Sequence, residues 1–258
     1  MKKSKGMTSK QAQRVKLAGH KAEKIFADLI GGMVYTGLTR KKDVLDKQGN
    51  IHSVKSGAKK WQMFLYSKNR FETSIGFFGA NFFIACIDSF PKKREEYVRN
   101  KERFKSRLQE PMRKLKNFLS EACNNRFFLH DNKIIFLLEA IFHSSEVDYL
   151  TINKGAVFHI FDAEEVIKII HVSTTLVNSK TRQQGQMDNQ KVVFKIVDDN
   201  STIGEIEMRN DSDVHYRQVK FWMDKEKTFN LLKSKISPVK KISERISTYG
   251  RATRRFKL

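Results

Sequence analysis

Three residues near the start of the chain, Asp43, Ser53 and Lys55, have types and spacing suited to metal-assisted hydrolysis. Hydrolysis of a phosphodiester needs a cation that polarises the phosphoryl oxygen and lowers the pKa of water, and a positive group that stabilises the transition state. A carboxylate with a metal and a lysine can meet these needs. Ser53 and Lys55 are two residues apart, so both would project from the same face of a strand.

Helices and strands have to position these residues. Apolar residues recur at helical spacing over residues 9–29, and Gly31-Gly32 would end that helix. Residues 42–46 and 51–56 have the pattern of a hairpin, and we predict a helix that contains residues 60–66. The start of the chain is therefore predicted to be a helix-strand-strand-helix unit.

The hairpin turn decides whether Asp43 reaches Lys55. The two side chains share a face only when an odd number of residues closes the hairpin. A three-residue loop, either Lys47-Gln48-Gly49 or Gln48-Gly49-Asn50, meets this condition. Gly49 suits the left-handed position that such a loop requires.

A set of residues in this segment resembles a known family. In chain order they are Glu23 on the leading helix, Lys42-Asp43-Val44, His52-Ser53-Val54-Lys55 and Gln62-Met63-Phe64-Leu65-Tyr66. The set is similar to the PD-(D/E)xK nuclease superfamily and covers about a quarter of the chain. The resemblance implies a restriction-endonuclease-like core with Asp43 as the metal-binding acid, Lys55 as the lysine and Glu23 as a helical carboxylate of the metal shell. Gln62 and Tyr66 resemble a Q-x-x-x-Y element that several nuclease branches place beside the active site.

One position departs from the family pattern. The acidic residue that normally stands two before the lysine is Ser53 here. We expect Glu23 to supply the missing carboxylate, and the Val54 carbonyl and water to complete an oxygen-rich shell of the kind that Mg²⁺ prefers. The alternative is a degenerate site without activity.

Composition favours a polyanionic partner. The chain has 258 residues with 50 lysines and arginines against 28 acidic residues, a net charge of +22. This balance points to nucleic acid first, and the absence of a long apolar run argues against a membrane. The basic start lacks the apolar core of a secretory signal, so we expect a soluble, cytoplasmic protein in which Cys86 and Cys123 are reduced core thiols.

The remaining chain reads as a mixture of helices and strands. The predicted segments are a charged helical stretch at 91–117, apolar segments at 133–142, 156–161 and 164–171, a hairpin formed by 191–197 and 202–209, and a helix at 216–235. We therefore predict an α+β fold with a mixed β-sheet flanked by helices. Residues 1–90 would form the catalytic core, and residues 91–258 would complete it and add DNA-recognition elements.

Several polar residues are candidates for DNA contact. They are Lys59 and Lys60 after the hairpin, Lys180, Arg182, Gln183 and Gln184 in a polar loop at 178–190, and Arg209, Arg217 and Gln218 further on. Such side chains read base edges or contact phosphates, although a solvated lysine pair and a plain surface loop explain the first two groups equally well. Glu205 and Glu207 could also hold a metal, but no lysine follows them in register.

The expected function is that of a site-specific, Mg²⁺-dependent double-stranded DNA endonuclease of the type II restriction kind. Two alternatives stay open: a structure-selective or repair nuclease, and a non-catalytic DNA-binding accessory subunit, for which Ser53 is the motive. The sequence also leaves open whether one subunit or a homodimer acts.

Overall fold

The computed structural model describes residues 9–36, 41–57, 59–73, 77–121, 131–143, 146–180, 187–209 and 213–258. Its helices are α1 (Ser9–Ile30), α2 (Lys68–Thr73), α3 (Ala80–Asp88), α4 (Arg94–Arg99), α5 (Lys101–Ser120), α6 (Asn132–Phe142), α7 (Ala163–Ser173), α8 (Lys225–Lys235) and α9 (Ala252–Arg255). Its strands are β1 (Met33–Val34), β2 (Val44–Leu45), β3 (Ile51–Lys55), β4 (Lys60–Ser67), β5 (Tyr149–Lys154), β6 (Val157–Asp162), β7 (Thr174–Lys180), β8 (Met187–Ile196), β9 (Thr202–Met208), β10 (Gln218–Asp224), β11 (Val239–Ser243) and β12 (Ile246–Tyr249).

The chain folds into two compact units, each assembled from separated segments. Unit 1 comprises Met1–Lys59, Ser145–Val166 and Phe229–Leu258, and unit 2 comprises Lys60–Ser144 and Ile167–Thr228. The predicted boundary at residue 90 falls inside unit 2. Segments distant in sequence complete unit 1 because β3 pairs with β2 on one side and with β5, about a hundred residues later, on the other.

Unit 1 is built on a seven-stranded mixed sheet. Its strand order is β1-β2-β3-β5-β6-β12-β11, in which β3–β5 and β6–β12 are parallel and the other neighbours antiparallel. Helix α1 packs on one face, where Phe26 and Ile30 join Val44, Val54 and Ile160 in a buried cluster. Because strand side chains alternate between faces, Ser53 and Lys55 project from the opposite face.

Unit 2 is built on a five-stranded antiparallel sheet. Its strand order is β4-β10-β9-β8-β7, and α3, α5 and α6 contact its strands. Many of the phenylalanines collect in its core, where Phe64 lies near Phe83, Phe136 and Phe221 with ring centroids 5.9 to 6.3 Å apart. Edge-to-face and tilted arrangements of this kind add to the stabilisation from apolar burial.

The structure confirms the predicted fold class, since helices flank a mixed sheet and an antiparallel sheet. It also confirms the leading helix, which runs from Ser9 to Ile30 and ends at Gly31 with a φ of 60°. Across the described residues, none of the helices combines the length and the apolar character needed to cross a bilayer.

The prediction of a helix at residues 60–66 was wrong. This segment is strand β4, which pairs with β10 through contacts such as Gln62 with Trp222 and Phe64 with Phe221. A bulge at Met63 allows both Met63 and Phe64 to be buried. That break in alternation hid the strand pattern, since two adjacent apolar residues also fit a helix.

The predictions for residues 216–235 and 178–190 were wrong in part. Residues 218–224 form β10, and the helix begins only at Lys225. The polar loop is shorter than predicted, because β7 continues to Lys180 and β8 begins at Met187. Asn178 is buried and pairs with Val192, so sheet pairing overrides its polar character.

Candidate active site

The hairpin of β2 and β3 has the turn that the chemistry requires. Leu45 is aligned with Ile51, and Asp46 N donates to Asn50 O at 3.0 Å, so Lys47, Gln48 and Gly49 form a three-residue loop. Gly49 has a φ of 85°. This is the first of the two predicted loops, and it preserves the odd spacing.

Asp46 stabilises the turn from inside. Its Oδ1 accepts hydrogen bonds from Gln48 N at 2.9 Å and Asn50 N at 2.8 Å. Its Oδ2 accepts from Asn50 Nδ2 at 2.9 Å and lies 3.5 Å from His52 Nε2. Burial alone would raise the pKa of Asp46, but the nearby His52 imidazole and the hydrogen bonds from Asn50 outweigh it and lower that pKa.

Asp43 immediately precedes β2 and turns its carboxylate toward β3. Its Oδ2 accepts a hydrogen bond from Val54 N at 2.7 Å and one from Ser53 Oγ at 3.4 Å, and lies 3.7 Å from Lys55 Nζ. The side chain thus takes the place of a backbone partner for Val54. For this reason β2 is only Val44–Leu45, shorter than the predicted strand 42–46.

Ser53 links the acid to the lysine. Lys55 Nζ donates to Ser53 Oγ at 2.6 Å, and Ser53 Oγ donates to the Asp43 carboxylate. Ser53 is fully buried, whereas the Asp43 and Lys55 side chains are 14% and 17% exposed. The Ser53 hydroxyl therefore holds the lysine close to Asp43.

Glu23 acts on this group through its charge. It lies on α1 with its side chain 17% exposed, and one carboxylate oxygen is 3.0 Å from His20 Nδ1. Burial is the largest cause of a raised pKa at Asp43, and the negative charge of Glu23 raises it further. Lys55 and the Val54 amide act in the opposite direction without cancelling these effects.

The resemblance implies a cation site at the Asp43 carboxylate. Within the described chain the hydrogen bonds of this carboxylate are made through Oδ2, and the negative charge of Glu23 acts on it. Oδ1 would be the oxygen that holds the expected cation. The described residues contain no group of three or more His, Cys, Asp or Glu side chains arranged to hold a metal ion. Val54, whose carbonyl is the predicted ligand, lies beside Asp43, since its backbone amide donates a hydrogen bond to that carboxylate.

Gln62 and Tyr66 belong to unit 2 and lie on β4, not on a helix after the lysine. Gln62 is exposed and aligned with Trp222, and Tyr66 stacks on Phe64 with ring centroids 4.6 Å apart. The contacts of Tyr66 are those of a core residue. A catalytic role for Gln62 stays a prediction.

The predicted DNA-contacting residues fall in different settings. Lys59 is exposed, and Lys60 Nζ lies 3.3 Å from the centre of the Trp222 ring, a cation–π contact. Lys180 is the last residue of β7. Arg182, Gln183 and Gln184 lie outside the described residues.

Arg209, Arg217 and Gln218 surround the start of β10. The guanidinium of Arg217 donates to Phe90 O and lies 3.1 Å from Asp88 Oδ1, so it serves the packing of unit 2. Arg209 N donates to Gln218 O at 2.9 Å. Oε1 of Gln218 is buried and has no hydrogen-bond partner in the described part of the chain.

Glu205 and Glu207 form a separate cluster in unit 2. Lys191 Nζ lies 3.0 Å from a carboxylate oxygen of each, and Lys220 Nζ lies 3.3 Å from Glu207. No lysine follows these glutamates along β9, but lysines on the neighbouring strands reach them. Since two lysines balance two carboxylates, this cluster is an ion-pair network.

Sequence reasoning missed the contribution of His52. Its imidazole is fully buried, with Nδ1 2.8 Å from Thr151 Oγ1 and ring centroids 5.0 Å from Phe26 and 4.8 Å from Tyr149. Burial lowers the pKa of His52, although the nearby Asp46 carboxylate acts in the opposite direction. The alternation of β3, which places His52 on the same face as Val54, was the available signal.

Comparison of the chain with protein-family models, curated proteins and solved structures returned no match. The resemblance to PD-(D/E)xK nucleases therefore depends on the residues and on the geometry described above.

Proposed function

We propose that this protein is a Mg²⁺-dependent, site-specific double-stranded DNA endonuclease of the type II restriction kind. The observation that supports it best is the convergence of Asp43 and Lys55, from the two arms of one hairpin, under the electrostatic influence of Glu23. This is the arrangement that the resemblance to PD-(D/E)xK nucleases implies.

The residues have distinct roles in the proposed reaction. Asp43 and Glu23 would hold the cation, with the Val54 carbonyl as a further oxygen ligand. Mg²⁺ bound there would polarise the phosphoryl oxygen and lower the pKa of a water molecule. Lys55, held by Ser53 at 2.6 Å, would orient that water and stabilise the negative charge that develops on the phosphoryl group.

The charge of the chain suits the substrate. A net charge of +22 attracts a polyanion without regard to sequence. Selectivity would come from polar side chains that read base edges, for which Lys180, Arg182, Gln183 and Gln184 remain the candidates.

Plasmid digestion tests the proposal directly. Purified protein with Mg²⁺ should give discrete fragments, and Asp43→Asn or Lys55→Gln should reduce the cleavage rate at least about a hundredfold. Glu207→Gln is the matched control, since it removes a carboxylate of the ion-pair network, and it should cut at the wild-type rate. Equal cleavage rates for the Asp43→Asn variant and the wild type would place the active site elsewhere.

One observation favours a second candidate, a non-catalytic DNA-binding subunit. Ser53 stands where the nuclease pattern has a carboxylate. Asp43 and Glu23 are then the two carboxylates that would hold the metal. Intact plasmid together with tight, Mg²⁺-independent binding would support this candidate.

In a titration of enzyme concentration, a cleavage rate proportional to the square of that concentration would indicate a homodimer.

A further inference from the structure

The sheet face that carries Lys55 also carries other basic residues at the same level. The strand register aligns Lys55 with Ile152 on β5, and Ile152 with His159 on β6. It continues from His159 to Ser247 on β12 and from Ser247 to Lys241 on β11. Since cross-strand partners share a face, Lys55, His159 and Lys241 lie on one face of the sheet in unit 1.

His159 is held in place by aromatic neighbours. Its Nδ1 lies 2.8 Å from the Tyr249 hydroxyl oxygen, and its ring centroid lies 4.7 Å from that of Phe229 on α8. In the tautomer in which the Tyr249 hydroxyl donates to Nδ1, the imidazole carries its proton on Nε2. In that tautomer Nε2 is a hydrogen-bond donor on a half-buried ring.

Two lysines lie around this imidazole. Lys154 Nζ is 4.6 Å from the centre of the Phe229 ring. Lys233 follows Phe229 by one turn of α8, so both side chains project from the same side of that helix. Burial, and then the charges of Lys233 and Lys154, lower the pKa of His159 to about 4. The ring is therefore neutral at physiological pH, between two cations.

We propose that Lys154, His159, Lys233 and Lys241 form a phosphate-binding row on unit 1, which binds the backbone of the nucleic-acid substrate. The row rests on the proposed function, since it assumes that the scissile strand is nucleic acid. Neighbouring strands are about 4.8 Å apart, which places His159 about 10 Å and Lys241 about 19 Å from Lys55.

The donor chemistry matches a phosphodiester. The ammonium groups supply positive charge and several hydrogen-bond donors each, and the neutral imidazole supplies one directed N–H. Lys240 provides an internal comparison, because it is aligned with Thr248 and therefore lies on the opposite face of the same edge strand. Lys240 and Lys241 are both exposed and differ mainly in that orientation.

Binding without cleavage tests the row. Fluorescence anisotropy of a labelled DNA duplex in EDTA, over a series of salt concentrations, measures affinity and its salt dependence. Lys154→Ala with Lys233→Ala should raise Kd about tenfold and reduce the slope of log Kd against log salt by about two. Lys241→Ala should reduce the slope by about one, and Lys240→Ala should change it less. Lys233→Glu, at an exposed position, should weaken binding further without affecting folding.

The outcomes separate this inference from the proposed nuclease activity. Row variants that bind like Lys240→Ala would overturn the row, even if wild-type protein cuts plasmid. Row variants that weaken binding as expected would support it, even if no cutting occurs. Perturbation of the His159 imidazole NMR signals by inorganic phosphate, with duplex binding unchanged in the variants, would assign the site to free phosphate and overturn the nucleic-acid row. A wild-type protein that binds no DNA would overturn both proposals.

Discussion

The two units each combine carboxylates with lysines on strands, but they balance the charges differently. In unit 2, Glu205 and Glu207 face Lys191 and Lys220, and the lysines lower the pKa of Glu207 although burial alone would raise it. Two negative charges meet two positive ones. The network is satisfied without any further ion.

In unit 1 the balance is incomplete. Asp43 lies 3.7 Å from Lys55 Nζ, yet burial together with the charge of Glu23 raises the pKa of Asp43. Carboxylates with perturbed pKa values of this kind are characteristic of functional sites. The comparison teaches that neighbouring lysines offset burial at Glu207 but not at Asp43. This is the difference expected if the proposed metal ion supplies the missing positive charge at Asp43.

The largest expected difference between the two clusters is in metal affinity. Asp43→Ala should weaken binding of Mg²⁺, or of Tb³⁺ as a luminescent substitute, by about a hundredfold, because it removes a ligand rather than an outer-shell group. The double variant Glu205→Gln with Glu207→Gln should bind the metal as the wild type does. Equal loss in both variants would mean that the ion-pair network also takes metal.

Stability should change in opposite directions in the two clusters. Lys191→Ala leaves Glu205 and Glu207 with less positive charge and should destabilise the protein by roughly 1 kcal/mol, a small value because the Lys191 side chain is 40% exposed and screened by solvent. Urea denaturation of the variant and the wild type at pH 8 gives this value. An unchanged free energy of unfolding would show that the network contributes nothing.

Asp43→Asn should stabilise the protein by about 0.5 to 1 kcal/mol at pH 8 while abolishing cleavage. Because the folded-state pKa of Asp43 is raised, its ionised form costs stability at pH values above that pKa. The cost disappears below the ordinary carboxyl pKa, where both the folded and unfolded states are protonated. The gain should therefore vanish in denaturation experiments at acidic pH, and a gain that persists there would have another cause.

The smallest expected effect is a shift in the pH profile of cleavage. Metal binding requires ionised Asp43, so cleavage should fall as the pH drops through the pKa of this residue. Glu23→Gln removes a proposed metal ligand, so cleavage should be slower at every pH. It also removes a charge that raises the pKa of Asp43, so the acid limb of the remaining activity should move to lower pH. His20→Gln, next to Glu23, is the control. An acid limb at the same pH in the Glu23 variant would remove Glu23 from the site.

The parts of the structure that the sequence could predict are local. The α1 helix has helical spacing over its whole length, and the Gly49 loop follows from the spacing between Asp43 and Lys55. Both depend on neighbouring residues alone. The convergence of Asp43 and Lys55 was predictable for this reason.

The parts that could not be predicted depend on partners far along the chain. Residues 60–67 become a strand because β10, more than a hundred residues later, pairs with them. The same pairing converts residues 218–224 from the predicted helix into a strand. The row through His159 depends on β5, β6, β12 and β11, whose order no local pattern contains.

The interleaved chain path restricts how this protein can be divided. The chain passes from one unit to the other after Lys59, Ser144, Val166 and Thr228. A fragment of residues 1–90 would contain the Asp43 hairpin without β5, which would leave an unpaired edge on β3 that favours aggregation. A protein engineered to carry this hairpin without unit 2 would therefore need all three segments of unit 1. Linkers would have to replace the two segments of unit 2.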